Sequence, residues 1–337
     1  MRVRAWLGVV FLIFLTAVLA FMAATAFLRY AESPVDPAVG RQVVEVPQGA
    51  SFERITSILE DAGLVKDRRA FYVLALIEDV QKRVKAGEYE LYGTQSPRDI
   101  LESLVEGRVR KYHVTVPEGF TLRGIAGRLA AAGVVDERRF RALAADKDLL
   151  SSLDIDNDTA EGFLFPTTYT FTKSMNEEDI IRHMAGELLR RITPDMRAAA
   201  SDRGLTLKEI VTLASIIEKE GGVKEEKPLI SAVFHNRLKK GMKLQSDPTV
   251  IYGIEDFDGN LQRRHLKMES PYNTYLISGL PPGPICSPGL DSIQAALNPS
   301  TEPYLYFVSK GDGTHHFSSS LTEHSKAVQQ YQLRKKK

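Results

Sequence analysis

The sequence predicts an α+β protein carried behind one N-terminal membrane-spanning helix. Three observations predict it. No charged residue occurs between Ala5 and Leu28. A strand–turn–helix pattern beginning at Val46 recurs 70 positions later, at Val116. From about Glu161, helical stretches alternate with loops dense in Gly, Pro, Tyr and Asn, the texture of helices mixed with short antiparallel strands.

The apolar run "AWLGVVFLIFLTAVLAFMAATAFL" is long enough to cross a bilayer as a helix. Arg2 and Arg4 precede it, and Glu32 and Asp36 follow. The positive-inside rule therefore leaves the short N-terminus in the cytoplasm and exports the rest. A cleaved signal peptide is the rival, because Ala24-Thr25-Ala26 resembles a small-residue cleavage site. The length of the run favours an uncleaved anchor over residues 1–29. Residues 30–42, with two prolines and no apolar period, read as a juxtamembrane linker.

The repeat pairs "VPQGASFERITSILEDAGLVKDRR" with "VPEGFTLRGIAGRLAAAGVVDERR". A short β run precedes each copy, "QVVEV" or "YHVTV". Pro and Gly then turn the chain, Ser51 or Thr121 caps a helix, and Gly63 or Gly133 ends it. Between the copies we expect a helix around "RAFYVLALIEDVQ", a hairpin-like "AGEYELYG" and a helix in "SPRDILESLVEG". Residues 43–115 form the first module, and 116–160 the second with its connection. Either the modules bind carbohydrate in the manner of LysM domains, or they are duplicated spacers. Residues 161–337 form the third region, where loops such as "LQSDPTVIYG" are of the kind that carry sites.

The net charge of +1 gives no reason to propose nucleic acid as a partner. Cys286 stands alone, so neither an intrachain disulfide nor a thiolate metal cluster can form. His235, His265, His315, His316 and His324 are dispersed without zinc-ligand spacing, so no metal is expected. No P-loop or dinucleotide fingerprint is present and no cofactor is expected; Ser318 to Ser320 lie in no nucleophile elbow. The terminal "LRKKK" reads as a solvated tail.

"LTLKEIVTLASIIEKEGG" reads as one helix, opened at Thr206 or Leu207 and stopped by Gly221-Gly222. At about 100° per residue, Ile210, Ile216 and Ile217 fall within about 60° of Leu213. Glu220 falls about 20° from Leu213, inside that apolar arc. Glu218 falls about 140° away, beside Ser215 on the polar side. A carboxyl on an apolar face has a raised pKa and holds its proton near neutral pH. A general acid for glycosidic cleavage needs that property. Alternatively, Glu220 lies in a last turn open to solvent or paired with a lysine. Glu209 is also near the arc, but at the helix start, where the macrodipole favours a carboxylate.

The segments "LASIIEKE", "VFHNRLKKGMKLQSDPTVIYG", "SPYNTYLISGLPPGPICSPGLDSIQAALNP", "PYLYFV" and "EGFLFPTTYTF" resemble the endolytic murein transglycosylases called MltG, or YceG-like proteins. With the anchor and the Val-Pro-x-Gly modules, the resemblance covers almost the whole chain. It implies a single-pass inner-membrane anchor, LysM-like strand–helix modules and a periplasmic α+β catalytic domain. It implies cleavage of the MurNAc-β-1,4-GlcNAc bond inside peptidoglycan strands to leave 1,6-anhydro-MurNAc ends, and so termination of strand elongation. Aligning "IIEKE" makes Glu220 the catalytic acid and leaves Glu218 as a supporting neighbour. Gln245, Asp247, Asn236, Tyr252, Tyr272, Asn273 and Tyr275 are then assigned to sugar binding or support of the cleft. Peptidoglycan synthases, the penicillin-binding proteins, are the implied protein partners. The alternative from another class is a non-catalytic, membrane-tethered peptidoglycan-binding scaffold.

Overall fold

A computed structural model describes residues 2–333, with side chains from Trp6 onward. The side chains of Arg2 and Arg4, and the tail from Arg334, lie outside the described residues. The chain forms two compact units, residues 1–112 with 171–175, and residues 113–170 with 176–337.

In the first unit, α1 (Arg2–Glu32) leads to β1 (Arg41–Val46), α2 (Phe52–Asp61), α3 (Arg68–Ile77), β2 (Gly87–Tyr92) and α4 (Pro97–Glu106). From Trp6, α1 is long and apolar enough to cross a membrane. Its last turn is not a free exit, since Ala31 and Val35 are buried in this unit's core. The expected linker 30–42 is therefore tied down, with the Asp36 amide donating to the Gly93 carbonyl at 3.0 Å. The expected hairpin at "AGEYELYG" is instead one strand. β2 pairs antiparallel with β1, Val44 opposite Tyr89 and Val46 opposite Gly87. The segment has no internal turn, and its alternation sends Tyr89 and Leu91 inward, where both are buried. Ser96 and Asp99 form a reciprocal capping box on α4, which Gly107 ends in the left-handed region.

The second unit contains β3 (Tyr112–Thr115) and β4 (Thr168–Phe171) apart from their end residues Tyr112 and Phe171, with α5 (Leu122–Ala131), α6 (Glu137–Leu143), α7 (Lys147–Ser152), α8 (Glu177–Arg191), α9 (Pro194–Asp202) and α10 (Leu207–Glu220). It continues with α11 (Lys227–Lys239), α12 (Asp247–Tyr252), α13 (Leu290–Leu297), β5 (Tyr306–Ser309), β6 (His315–Ser318) and α14 (Leu321–Val328). β3 pairs with β4, and β5 pairs antiparallel with β6.

The two repeat copies follow the same path. Ser51 and Thr121 cap α2 and α5 through their hydroxyls. The leading glycines share φ values of 76° and 75°, and the trailing glycines, Gly63 and Gly133, share 71°. The copies nevertheless fall in different compact units. The second, expected within a separate module of 116–160, clusters with the residues from 161 onward.

Candidate active site

α10 is the central helix of the second unit. Thr206 and Glu209 close a capping box at its start. Every residue from Ile210 to Ile217 is buried, Thr212 and Ser215 included. A helix covered all round has no solvent side. α13, α11, α12 and α9 all pack against it. The side facing Ser215 is therefore not a solvated one. The Ser215 hydroxyl accepts from the Ile285 amide at 3.0 Å and donates to the Thr212 carbonyl at 2.7 Å.

Glu218 shares that covered side and is fully engaged. Its carboxylate accepts from Lys227 Nζ at 3.2 Å, the Gly289 amide at 2.9 Å and Ser292 Oγ at 2.7 Å. The pair with Lys227 is shielded from water, the two side chains being 10% and 11% exposed. Glu218 thus ties the end of α10 to the start of α11 and the N-terminus of α13. A Cβ on Gly289 would meet the Glu118 carboxylate, the movable end of an exposed side chain. Glu118 is itself pushed up, by partial burial and by the charge of Glu218.

Glu220 has a different environment. Its Oε1 accepts a short hydrogen bond of 2.5 Å from Ser246 Oγ, the one side-chain donor it meets among the described contacts. Burial raises its pKa to about 7. The Ser246 bond and the nearby Arg237 cation pull it down, and the Asp247 charge pushes it up. Desolvation dominates because the acid form costs far less to bury than the ion, and one neutral hydroxyl cannot repay an ion. The chain turns away immediately afterwards. Gly221 and Gly222 have φ of 76° and 86°, and a Cβ on Gly222 would press on Glu226 and His315. Those two pair at 2.8 Å, His315 Nδ1 to Glu226 Oε2.

The Ser246 hydroxyl is aimed by a braced loop. Thr274, fully buried, accepts from the Ser246 amide at 2.9 Å, and its carbonyl accepts from the Gln245 amide at 3.1 Å. Thr249 donates to the Ser246 carbonyl at 2.7 Å. On the other flank, Arg237 is buried. It donates to the Leu244 and Leu305 carbonyls, each at 2.7 Å, and stacks over Tyr306. A guanidinium's fixed fork suits such a clamp between two backbone strands.

The seven residues expected around the acid divide. Asp247, exposed at the start of α12, accepts from the Tyr275 hydroxyl at 2.6 Å, and its charge reaches Glu220. Gln245 is exposed, with a left-handed φ of 49° that projects it from the loop. Tyr252 and Tyr272 are in ring contact, centroids 4.7 Å apart. The two asparagines take the supporting place rather than the sugar-facing one, and Asn273 Oδ1 accepts from the Tyr275 amide at 3.0 Å. Asn236 donates to the Glu302 and Tyr304 carbonyls. Asn273 is fully buried and donates to the Leu266 and Met268 carbonyls. Their side chains fasten loops and leave no donor for a sugar.

Ser246, Arg237 and Glu161 were not singled out from sequence. Glu161 opens "EGFLFPTTYTF" and is buried. It accepts from the Leu122 amide at 2.9 Å, so it caps α5, and from the Tyr252 hydroxyl at 3.2 Å. Burial raises its pKa to about 7 as well. An acid preceding an apolar run was the available signal.

Comparison with known proteins agrees with this architecture. The profile of the YceG-like family matches residues 44–330. A Bacillus subtilis protein named endolytic murein transglycosylase is 32% identical over 304 residues, covering 86% of this chain and 84% of that protein. A Streptococcus pneumoniae protein of the same name is 32% identical over 331 residues, 88% of this chain. The match spans 60% of that longer protein. A crystal structure of a YceG-like protein from Listeria monocytogenes superposes with a TM-score of 0.59 at 32% identity, covering 86% of this chain and 99% of that one. The chain belongs to the YceG-like family.

Proposed function

We propose that this chain is a membrane-anchored lytic transglycosylase that cuts within peptidoglycan glycan strands, with Glu220 as its single acid–base group. The observation that carries the assignment of Glu220 is its place at the end of α10, where Ser246 is the one side-chain donor it meets among the described contacts and burial raises its pKa to about 7. Such a group holds a proton in a good fraction of molecules at neutral pH and can also take one back.

The reaction balances around that one carboxyl. Glu220 gives its proton to the oxygen between MurNAc and GlcNAc as the C1–O bond breaks, and GlcNAc leaves with a free hydroxyl. The Glu220 carboxylate then accepts the proton of the muramyl 6-hydroxyl as O6 closes on C1. The product is a 1,6-anhydro-MurNAc end, no water is consumed, and Glu220 is protonated again. Attack from within the same sugar needs no second carboxylate to activate water, unlike hydrolysis. Ser246 holds the carboxyl in place. Asp247 disfavours its ionisation, and Gln245, Tyr252, Tyr272 and Tyr275 supply polar and aromatic surface for the sugar.

In this reading α1 stays in the inner membrane with the N-terminus cytoplasmic, and the second unit works in the periplasm at the ends of growing strands. Synthases that polymerise and cross-link peptidoglycan are the partners proposed for a protein so placed. Mass spectrometry of products from purified, un-crosslinked glycan tests the chemistry. Anhydro-ended fragments are expected; reducing ends would make the protein a hydrolase, and unchanged strands a binding scaffold. N-terminal sequencing of membrane-extracted protein tests the anchor, which a mature chain beginning near Phe27 would exclude.

A further inference from the structure

The first unit has a surface that the chemistry of the second does not use. Both ends of α3 are held at the last turn of α1. The Tyr30 hydroxyl donates to the carbonyl of Asp67, the α3 N-cap, at 3.0 Å. At the other end, Arg98 bridges Glu78, the α3 C-cap, to Glu32 of α1. Tyr30 and Glu32 are separated by only about 3 Å of helix rise. Both ends of α3 are thereby tied to the same turn of α1.

The two faces of α3 differ. Phe71, Leu74 and Ala75 face inward, into the core that also takes in Ala31 and Val35. Val73, Leu76 and Ile77 face outward at helical spacing and are 42%, 58% and 67% exposed. Three large apolar side chains on one unpartnered face are costly in water. Arg69 lies one turn before Val73 on that face. With Arg54 and Arg68 it lines an adjoining cavity of about 570 Å³, together with Ser51, Ser57, Tyr72 and Glu53. Glu60 engages Arg68, whereas Arg54 and Arg69 form none of the ion pairs described.

We propose that this outer face of α3 seats on the bilayer surface beside the point where α1 leaves it. Val73, Leu76 and Ile77 dip into the headgroup–acyl boundary, and the arginines meet lipid phosphate. Two features select lipid over another protein. The face adjoins the end of a helix of membrane-spanning length and composition, so no separate partner has to be recruited. An apolar stripe rimmed by arginine is also the pattern of an interfacial helix. The inference rests on the anchor reading of α1. Its consequence is that the first unit lies against the membrane instead of swinging free.

Trp6 is the only tryptophan in the chain, which allows a direct test in the full protein. Wild-type protein in nanodiscs of phosphatidylglycerol and phosphatidylcholine reports the anchor through quenching of Trp6 by brominated acyl chains. In a Trp6→Phe background, Leu76→Trp and Ile77→Trp are compared with Leu321→Trp, an exposed position on α14. For side chains seated 5–10 Å into the boundary, the two α3 variants should show blue-shifted emission and about a twofold intensity loss with bromine high on the chain. Leu321→Trp should show neither. Water-like, unquenched emission from both α3 variants overturns the proposal. Blue-shifted but unquenched emission also overturns it, because the face would then be covered by protein. If Trp6 itself is unquenched, the anchor reading has failed; if Trp6 is quenched and the α3 variants are not, only the present inference falls.

Discussion

Around the last turn of α10, two carboxyl groups two residues apart face opposite kinds of region. On the Glu218 side an ammonium, a hydroxyl and a backbone amide converge on the carboxylate, which is spent on joining three helices. On the Glu220 side one hydroxyl meets the carboxyl, and the buried surroundings and the Asp247 charge oppose ionisation. Burial alone does not separate them, since both are withdrawn from water. The supply of donors does. A buried carboxylate with a full set of charge-assisted partners is a structural tie, whereas one held by a single neutral donor can still exchange a proton.

The strongest way to break this comparison is to exchange the two residues' fates. Glu220→Gln keeps the acceptor for Ser246 and removes the transferable proton. Release of anhydro-ended fragments should fall about 10²–10⁴-fold, with no loss of thermal stability at neutral pH. Glu218→Gln should retain most activity below its melting temperature. If Glu218→Gln is the dead variant, the contrast between the two regions is inverted.

Stability should respond in the opposite sense. Glu218→Ala leaves the Lys227 ammonium buried and unpaired, at a cost of about 3 kcal/mol. Urea melts should show it, and adding Lys227→Met should recover part of the loss. Full stability of Glu218→Ala would mean that the tie between α10, α11 and α13 carries little.

A smaller effect comes from pH. The folded pKa of Glu220 is raised above the unfolded carboxylate value. Its burial therefore contributes fully below about pH 4.3 and is lost as pH rises through about 7. Wild type should fall behind Glu220→Gln by about 1–2 kcal/mol between pH 5 and pH 8, because partial access to water discounts the full shift. Glu161 loses its contribution over the same window, so Glu220→Gln should still decline with pH, less steeply. Equal pH slopes for the two proteins in urea melts would show that Glu220 is not desolvated.

The finest test is Ser246→Ala. Ser246 donates to Glu220 and favours its charged form. Without it, the alkaline limb of kcat/KM should move up by about one pH unit, equivalent to about 1.4 kcal/mol. An unmoved limb would assign that titration to another group.

Much of the local structure was legible because it is decided locally. Ser51, Thr121 and Thr206 cap helices where their hydroxyls meet unpaired amides, and the glycines of both repeat copies turn the chain identically. Helical periodicity also separated Glu220 from Glu218, although it misjudged what lies beside Glu218. A wheel registers apolar side chains only. It reads Ser215 and Glu218 as facing water when they face the amides of residues 285 and 289.

What the sequence determined by itself was the apolar run of α1, the duplicated strand–turn–helix path, the limits of α10 and the acid on its apolar arc. Each follows from hydrophobicity, period and cap chemistry within a few consecutive residues. Only the tertiary structure decided that "AGEYELYG" pairs with β1, that Asn236 and Asn273 fasten loops, that Lys227 and Ser292 claim Glu218, and that Ser246 holds Glu220. Those outcomes depend on which donor and acceptor arrive from 5 to 74 residues away. A buried polar group takes whatever partner the packing delivers, because leaving it unpaired costs more than any local preference can supply.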